Sequence, residues 1–105
     1  MSLSDRQWEF LKALAKLIRY ADKQGYKLTG GDLQSRPGNK PRHSAKSFHY
    51  KRLAIDLNLF IDGKYQKSSE AHLPLGVYWE KIGGTWGGRF NKRDGNHYSW
   101  GEGRR

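Results

Sequence analysis

Apolar residues near the start of the chain recur at helical spacing: Trp8, Leu11, Leu14, Ala15, Ile18 and Ala21. Ser4-Asp5-Arg6-Gln7 precedes them, with a hydroxyl three residues ahead of a glutamine, the pattern of a capping box. Gly25 follows as a natural C-terminal stop. The pattern predicts an amphipathic helix from about residue 5 to 24, with this stripe turned to the core. Further on the period changes to two. Leu53, Ile55, Leu57, Leu59 and Ile61 alternate with Ala54, Asp56, Asn58 and Phe60. That predicts a strand with one core face and a mixed face bearing Asp56. Asp62-Gly63 signals a hairpin turn, with Lys64-Tyr65 returning. Pro74 suits the first turn of a second helix, whose apolar face is Leu75, Tyr78, Trp79 and Ile82 and whose stop is Gly83-Gly84.

Three shorter segments complete the outline. Tyr26 to Thr29 reads as a short strand, Gly83 to Gly88 as irregular, and His97 to Trp100 as a final strand. Gly30 to Ala45 reads as a loop, broken by Gly30-Gly31, Pro37-Gly38 and Pro41. A loop of that length in a small domain is a common seat of function. The order of elements predicts an α+β domain with helices packed on a small antiparallel sheet.

At 105 residues the chain is expected to form one domain spanning 1–105, without repeats or linkers. A core of that size leaves a thin stability margin, to which a bound metal would add. There is no cysteine, so disulfides, thiolate metal sites and cysteine nucleophiles are excluded. No apolar run approaches the roughly 18 residues of a membrane span. Lys12, Lys16 and Arg19 interrupt the first apolar segment, so it does not read as a signal peptide. The expectation is synthesis in the cytoplasm without a signal peptide, with another route needed to any target outside. The net charge of +10 implies an anionic partner, either nucleic acid or a wall polymer. Lys40, Arg42, Lys46, Lys51 and Arg52 crowd one region, and Arg104-Arg105 end the chain. No helix-turn-helix, RNP-like or zinc-finger pattern accompanies this charge, so a specific nucleic-acid partner is not expected. Nothing suggests a coiled coil, and a monomer is the default.

With no cysteine, metal ligands must come from His, Asp and Glu, and the histidines are His43, His49, His72 and His97. His43 and His72 lie in polar, loop-like settings and read as solvated. His49 lies at the entry to the predicted strand and Asp56 within it; a turn over Tyr50 to Arg52 would let both converge on one ion. Small Ala54 shares the face of Asp56 and leaves room there. His97 supplies a third donor. Two histidines and an aspartate suit Zn²⁺, and three protein ligands leave one position for water. Asp94 precedes His97 by three residues and could take a proton from that water. Glycines around Trp86 permit close backbone approach, and Trp86 could wall a cleft. Each residue also has a structural reading. His49 could be a core or hairpin histidine, Asp56 a turn cap, and Asp94-Gly95-Asn96 simply a turn.

Taken together, these residues resemble a known family. Ser47-x-His49, with Ala54 and Asp56 at the matching offsets, resembles the Ser-x-His-x-x-Gly-x-Ala-x-Asp signature of zinc peptidoglycan peptidases. These are the VanY-type D-Ala-D-Ala carboxypeptidases and the phage L-alanyl-D-glutamate endolysins, which share the hedgehog-like LAS fold. Trp86-Gly87-Gly88-Arg89-Phe90, followed by Asp94-x-x-His97-Tyr98, is similar to the segments that close that site. The similarity spans about residues 28 to 100, and Asp rather than Glu before the last histidine favours the phage branch. The resemblance implies one zinc ion on His49, Asp56 and His97, Asp94 as catalytic base, and Ser47 steadying the ligand geometry. It also implies an arginine on the substrate carbonyl, for which Arg36 and Arg42 are both candidates. Arg52 stands where the family has glycine. The expected activity is hydrolysis of peptidoglycan stem peptides, with a D-Ala-D-Ala carboxypeptidase as the close alternative. A non-catalytic basic module binding nucleic acid, or one binding wall, is the alternative of another class.

Overall fold

The computed structural model describes residues 2–31 and 53–100. The first helix, α1, runs over Leu3–Lys23 and ends at a Gln24 cap just before Gly25. It begins one turn-half earlier than the Ser4 cap predicts. Ser2 is the N-cap: its Oγ accepts from the Asp5 amide at 3.1 Å, and Asp5 Oδ2 accepts from the Ser2 amide at 3.4 Å. Both serines stand three residues before a suitable partner. Ser2 places a carboxylate, rather than the amide of Gln7, against the positive end of the helix dipole.

The buried face of α1 matches the predicted stripe only in part, at Ala21 and the half-buried Leu14. Phe10, Ala13, Leu17 and Ala21 are buried, whereas Trp8, Leu11 and Ile18 remain 59%, 54% and 48% exposed. Two apolar stripes at helical spacing run side by side on this helix, and the second helix selects between them. That helix, α2, spans Leu73–Lys81 with Pro74 in its first turn. Phe10 meets Trp79 edge-on, with centroids 6.1 Å apart and planes at 87°. Tyr20 stacks on Tyr78 at 4.3 Å and 10°. These aromatic contacts fix the rotation of α1 about its axis.

Among the described residues five strands make one antiparallel sheet: β1 (Tyr26–Gly30), β2 (Ala54–Ile61), β3 (Lys64–Tyr65), β4 (Thr85–Trp86) and β5 (His97–Ser99). Their order is β1-β2-β5-β4, with β3 also pairing β2. Asp62 and Gly63 both take positive φ, 53° and 77°, the type I′ geometry of a two-residue hairpin. Thr85–Trp86, predicted to be irregular, is a strand instead, because Trp86 pairs with Tyr98 and Thr85 with Ser99. A two-residue strand has no periodicity to announce it. The α+β class, with helices packed on a small antiparallel sheet, is as the sequence predicts. No helix among the described residues is long and apolar enough to cross a membrane.

The core lies on the helix-bearing side of the sheet, where Leu17, Leu53, Leu59, Leu75, Trp79, Trp86 and Tyr98 are fully buried. His72 is there too, at 3% exposure, although its polar sequence setting predicts a solvated side chain. The chain enters α2 through a short 3₁₀ turn, Glu70–His72, which swings the imidazole inward. Its Nδ1 is hydrogen-bonded to the Tyr98 hydroxyl at 2.8 Å. Burial lowers the His72 pKa to about 4, and it raises that of the Tyr98 phenol.

A pH dependence of stability follows. The unfolded chain binds the His72 proton below about pH 6.5, while the folded chain resists it until about pH 4. Stability therefore falls as pH drops through that window. The share due to His72 is about 2 kcal/mol at pH 5. Urea unfolding at pH 7 and pH 5 should show this loss, and His72→Phe should show much less of it. An equal loss in both proteins would contradict the assignment.

Candidate metal centre

The register of β2 against β5 builds the centre of the site. Ala54 pairs with Ser99, Ile55 with Tyr98 and Asp56 with His97. Residues directly opposed in an antiparallel pair put their side chains on the same face, with Cβ atoms about 5 Å apart. Ile55 and Tyr98 point into the core, so Asp56 and His97 share the opposite face. Their closest atoms, Asp56 Oδ1 and His97 Nδ1, are 3.6 Å apart, with side chains only 14% and 5% exposed. The Phe90 ring lies beside the imidazole, with centroids 5.4 Å apart.

Asp94 reaches the same place from a turn. Its amide donates to the Gly87 carbonyl at 3.0 Å, and its carbonyl accepts from the His97 amide at 3.1 Å. The Trp86 indole Nε1 donates to the Gly95 carbonyl at 2.7 Å, and the Gly95 amide donates to Ser69 Oγ at 2.9 Å. Four hydrogen bonds thus fix the backbone on which Asp94 stands, while its side chain stays exposed. Two glycines permit this packing. A Cβ on Gly87 would lie 2.2 Å from the Asp94 carbonyl oxygen, and one on Gly95 would lie 2.4 Å from Ser69 Cα.

One donor atom each from Asp56, Asp94 and His97 falls within 4.8 Å of the others, a group able to hold a metal ion. The donor chemistry fits a borderline divalent cation: carboxylate oxygens and an imidazole nitrogen, with no thiolate. Two tetrahedral ligands about 2.0–2.1 Å from one ion would stand roughly 3.4 Å apart. The 3.6 Å between Asp56 and His97 fits that spacing.

His49, Ser47, Arg36 and Arg42 lie outside the described residues, as does the turn expected over Tyr50 to Arg52. Asp56, Asp94 and His97 come together. Trp86 does not wall a cleft: it is 0% exposed and lies beneath the site. Its pairing with Tyr98 turns it to the core face, where the indole supports the Asp94 turn from below. The contributions of Ser69 and Gly95 carry no sequence signal, since their hydrogen bond joins positions 26 residues apart.

The buried carbonyl of Gly95 makes Trp86→Phe informative. That variant removes its donor and should cost about 1–3 kcal/mol in urea unfolding. Unchanged stability would show that the indole hydrogen bond does not hold the turn.

Comparison with known proteins comes to the same segment of chain. The family model described as D-alanyl-D-alanine carboxypeptidase matches residues 41–100, more than half of the chain. That span contains β2, the Asp94 turn and β5. No match was found among curated proteins.

Proposed function

This chain belongs to the D-alanyl-D-alanine carboxypeptidase family of peptidoglycan-acting metallopeptidases, and from that premise we propose a zinc-dependent hydrolase of peptidoglycan stem peptides, of the phage endolysin L-alanyl-D-glutamate endopeptidase type. The observation that carries the zinc site is the cross-strand pair Asp56 and His97, with Asp94 in the same donor group. Asp, rather than Glu, three residues before His97 supports the endopeptidase branch. The description of the matching family supports the second reading, a D-Ala-D-Ala carboxypeptidase.

Asp56 and His97, with His49, would hold the ion. A bound zinc would supply Lewis acidity, polarising the scissile carbonyl and making water a stronger acid. Asp94 is the general base. Its exposed carboxylate takes a proton from the attacking water and returns it to the departing amine. The turn holding Asp94 is fixed by hydrogen bonds, so its carboxylate meets substrate already oriented. By the family resemblance, Ser47 would steady the ligands, and Arg36 or Arg42 would meet the carbonyl oxygen as negative charge develops. The basic surface draws the protein to anionic wall polymers, so activity should fall as salt rises.

Zinc content and stem-peptide hydrolysis, compared between wild type and Asp94→Ala, test this reading. Both proteins should hold zinc, and the variant should hydrolyse about 10²–10⁴-fold more slowly. Product masses name the bond: separation of L-Ala from D-Glu supports the endopeptidase, and release of terminal D-Ala alone supports the carboxypeptidase. Wild-type hydrolysis by Asp94→Ala would refute the assignment of the base.

A further inference from the structure

Helix α1 lies outside the span matched by the family, so family membership gives it no role. Its outward face is unusual for a helix packed on a small domain. Trp8, Leu11 and Ile18 are 59%, 54% and 48% exposed, and at 100° per residue they form one arc together with Ala15. The apolar surface continues from Ile18 into a groove between α1 and the sheet, lined by Leu14, Tyr26, Leu28, Ile55 and Leu57.

Charge borders this surface, and Asp22 closes the arc one turn beyond Ile18. Lys12, Lys16, Arg19 and Lys23 fall on the arc of α1 next to Trp8. Arg19 and Lys27 also reach the groove, together with Asp22. Lys12 Nζ lies 5.6 Å over the Trp8 ring and pairs with Glu9 at 2.6 Å. Glu9, Asp5 and Asp22 offset part of the positive charge, but the helix and the whole chain stay basic. An apolar arc with tryptophan, flanked by lysine and arginine, matches the boundary between acyl chains and anionic headgroups.

We propose that α1 docks on an anionic lipid bilayer through Trp8, Leu11 and Ile18, with Lys16 and Arg19 meeting headgroup phosphates. Asp56 and His97 point to the face of the sheet opposite α1, so a protein lying on lipid through α1 turns its candidate metal centre away from the membrane. This inference concerns a different surface and does not depend on the chemistry of that centre.

Co-sedimentation of the full chain with phosphatidylglycerol/phosphatidylcholine vesicles tests it, with pure phosphatidylcholine vesicles as comparison. Wild type should partition onto the anionic vesicles. Trp8→Gln/Leu11→Gln should weaken partitioning by about tenfold, and Lys16→Gln/Arg19→Gln by a similar factor. Both pairs sit at exposed helical positions where glutamine is well tolerated. Circular dichroism checks that each variant keeps its helix. Wild-type partitioning by Trp8→Gln/Leu11→Gln would overturn the proposal, reducing it to adsorption of a cationic chain. A wild-type dimer in sedimentation velocity that the same pair makes monomeric would also overturn it, assigning the face to a second copy of the chain.

Discussion

Asp56 and His97 are 41 positions apart in sequence and held opposite one another by antiparallel pairing. A slip of one residue in β5 would move His97 to the core face and turn Tyr98 or Asn96 toward Asp56. What prevents the slip is the other face of the same strand. Tyr98 is fully buried, edge-on to Trp79 at 6.0 Å and hydrogen-bonded to His72. Trp79 itself donates to the Ser99 carbonyl at 2.9 Å. The core side therefore sets the register, and the register sets the polar pair on the opposite side.

The same division of labour governs Asp94. Its side chain is exposed, yet the turn beneath it is tied to Trp86 from below and to Ser69 from the side. The base role proposed for Asp94 calls for an open side chain on a fixed backbone. Tryptophan serves here as an internal strut with a polar end. Its indole fills core volume and its N–H satisfies a carbonyl that would otherwise be buried without a donor.

The larger elements were legible in the sequence because they are periodic. The alternation from Leu53 to Ile61 revealed β2, and the 3.6-residue recurrence revealed both helices. The face of α1 was not legible. Trp8-Leu11-Ala15-Ile18 and Phe10-Ala13-Leu17-Ala21 both have helical spacing, and only packing against Trp79 and Tyr78 chooses between them. His72 looked solvated because its neighbours are polar, but a partner 26 positions away buries it. Trp86 was legible as part of a glycine-rich motif, though not its direction, which depends on pairing with Tyr98. At the site, Asp56, Asp94 and His97 were legible from residue type together with the resemblance to the family's motifs, since their spacing alone is a weak signal. The reason they meet is a strand register, which no local pattern encodes.

The most direct test of this account is the zinc stoichiometry of the purified protein, compared with Asp56→Ala and His97→Ala. The account predicts one zinc per wild-type chain and little or none in either variant, with the circular dichroism of all three alike. Full zinc occupancy in either variant, or none in wild type after reconstitution with zinc, would contradict the claim that this cross-strand pair is the centre of a metal site.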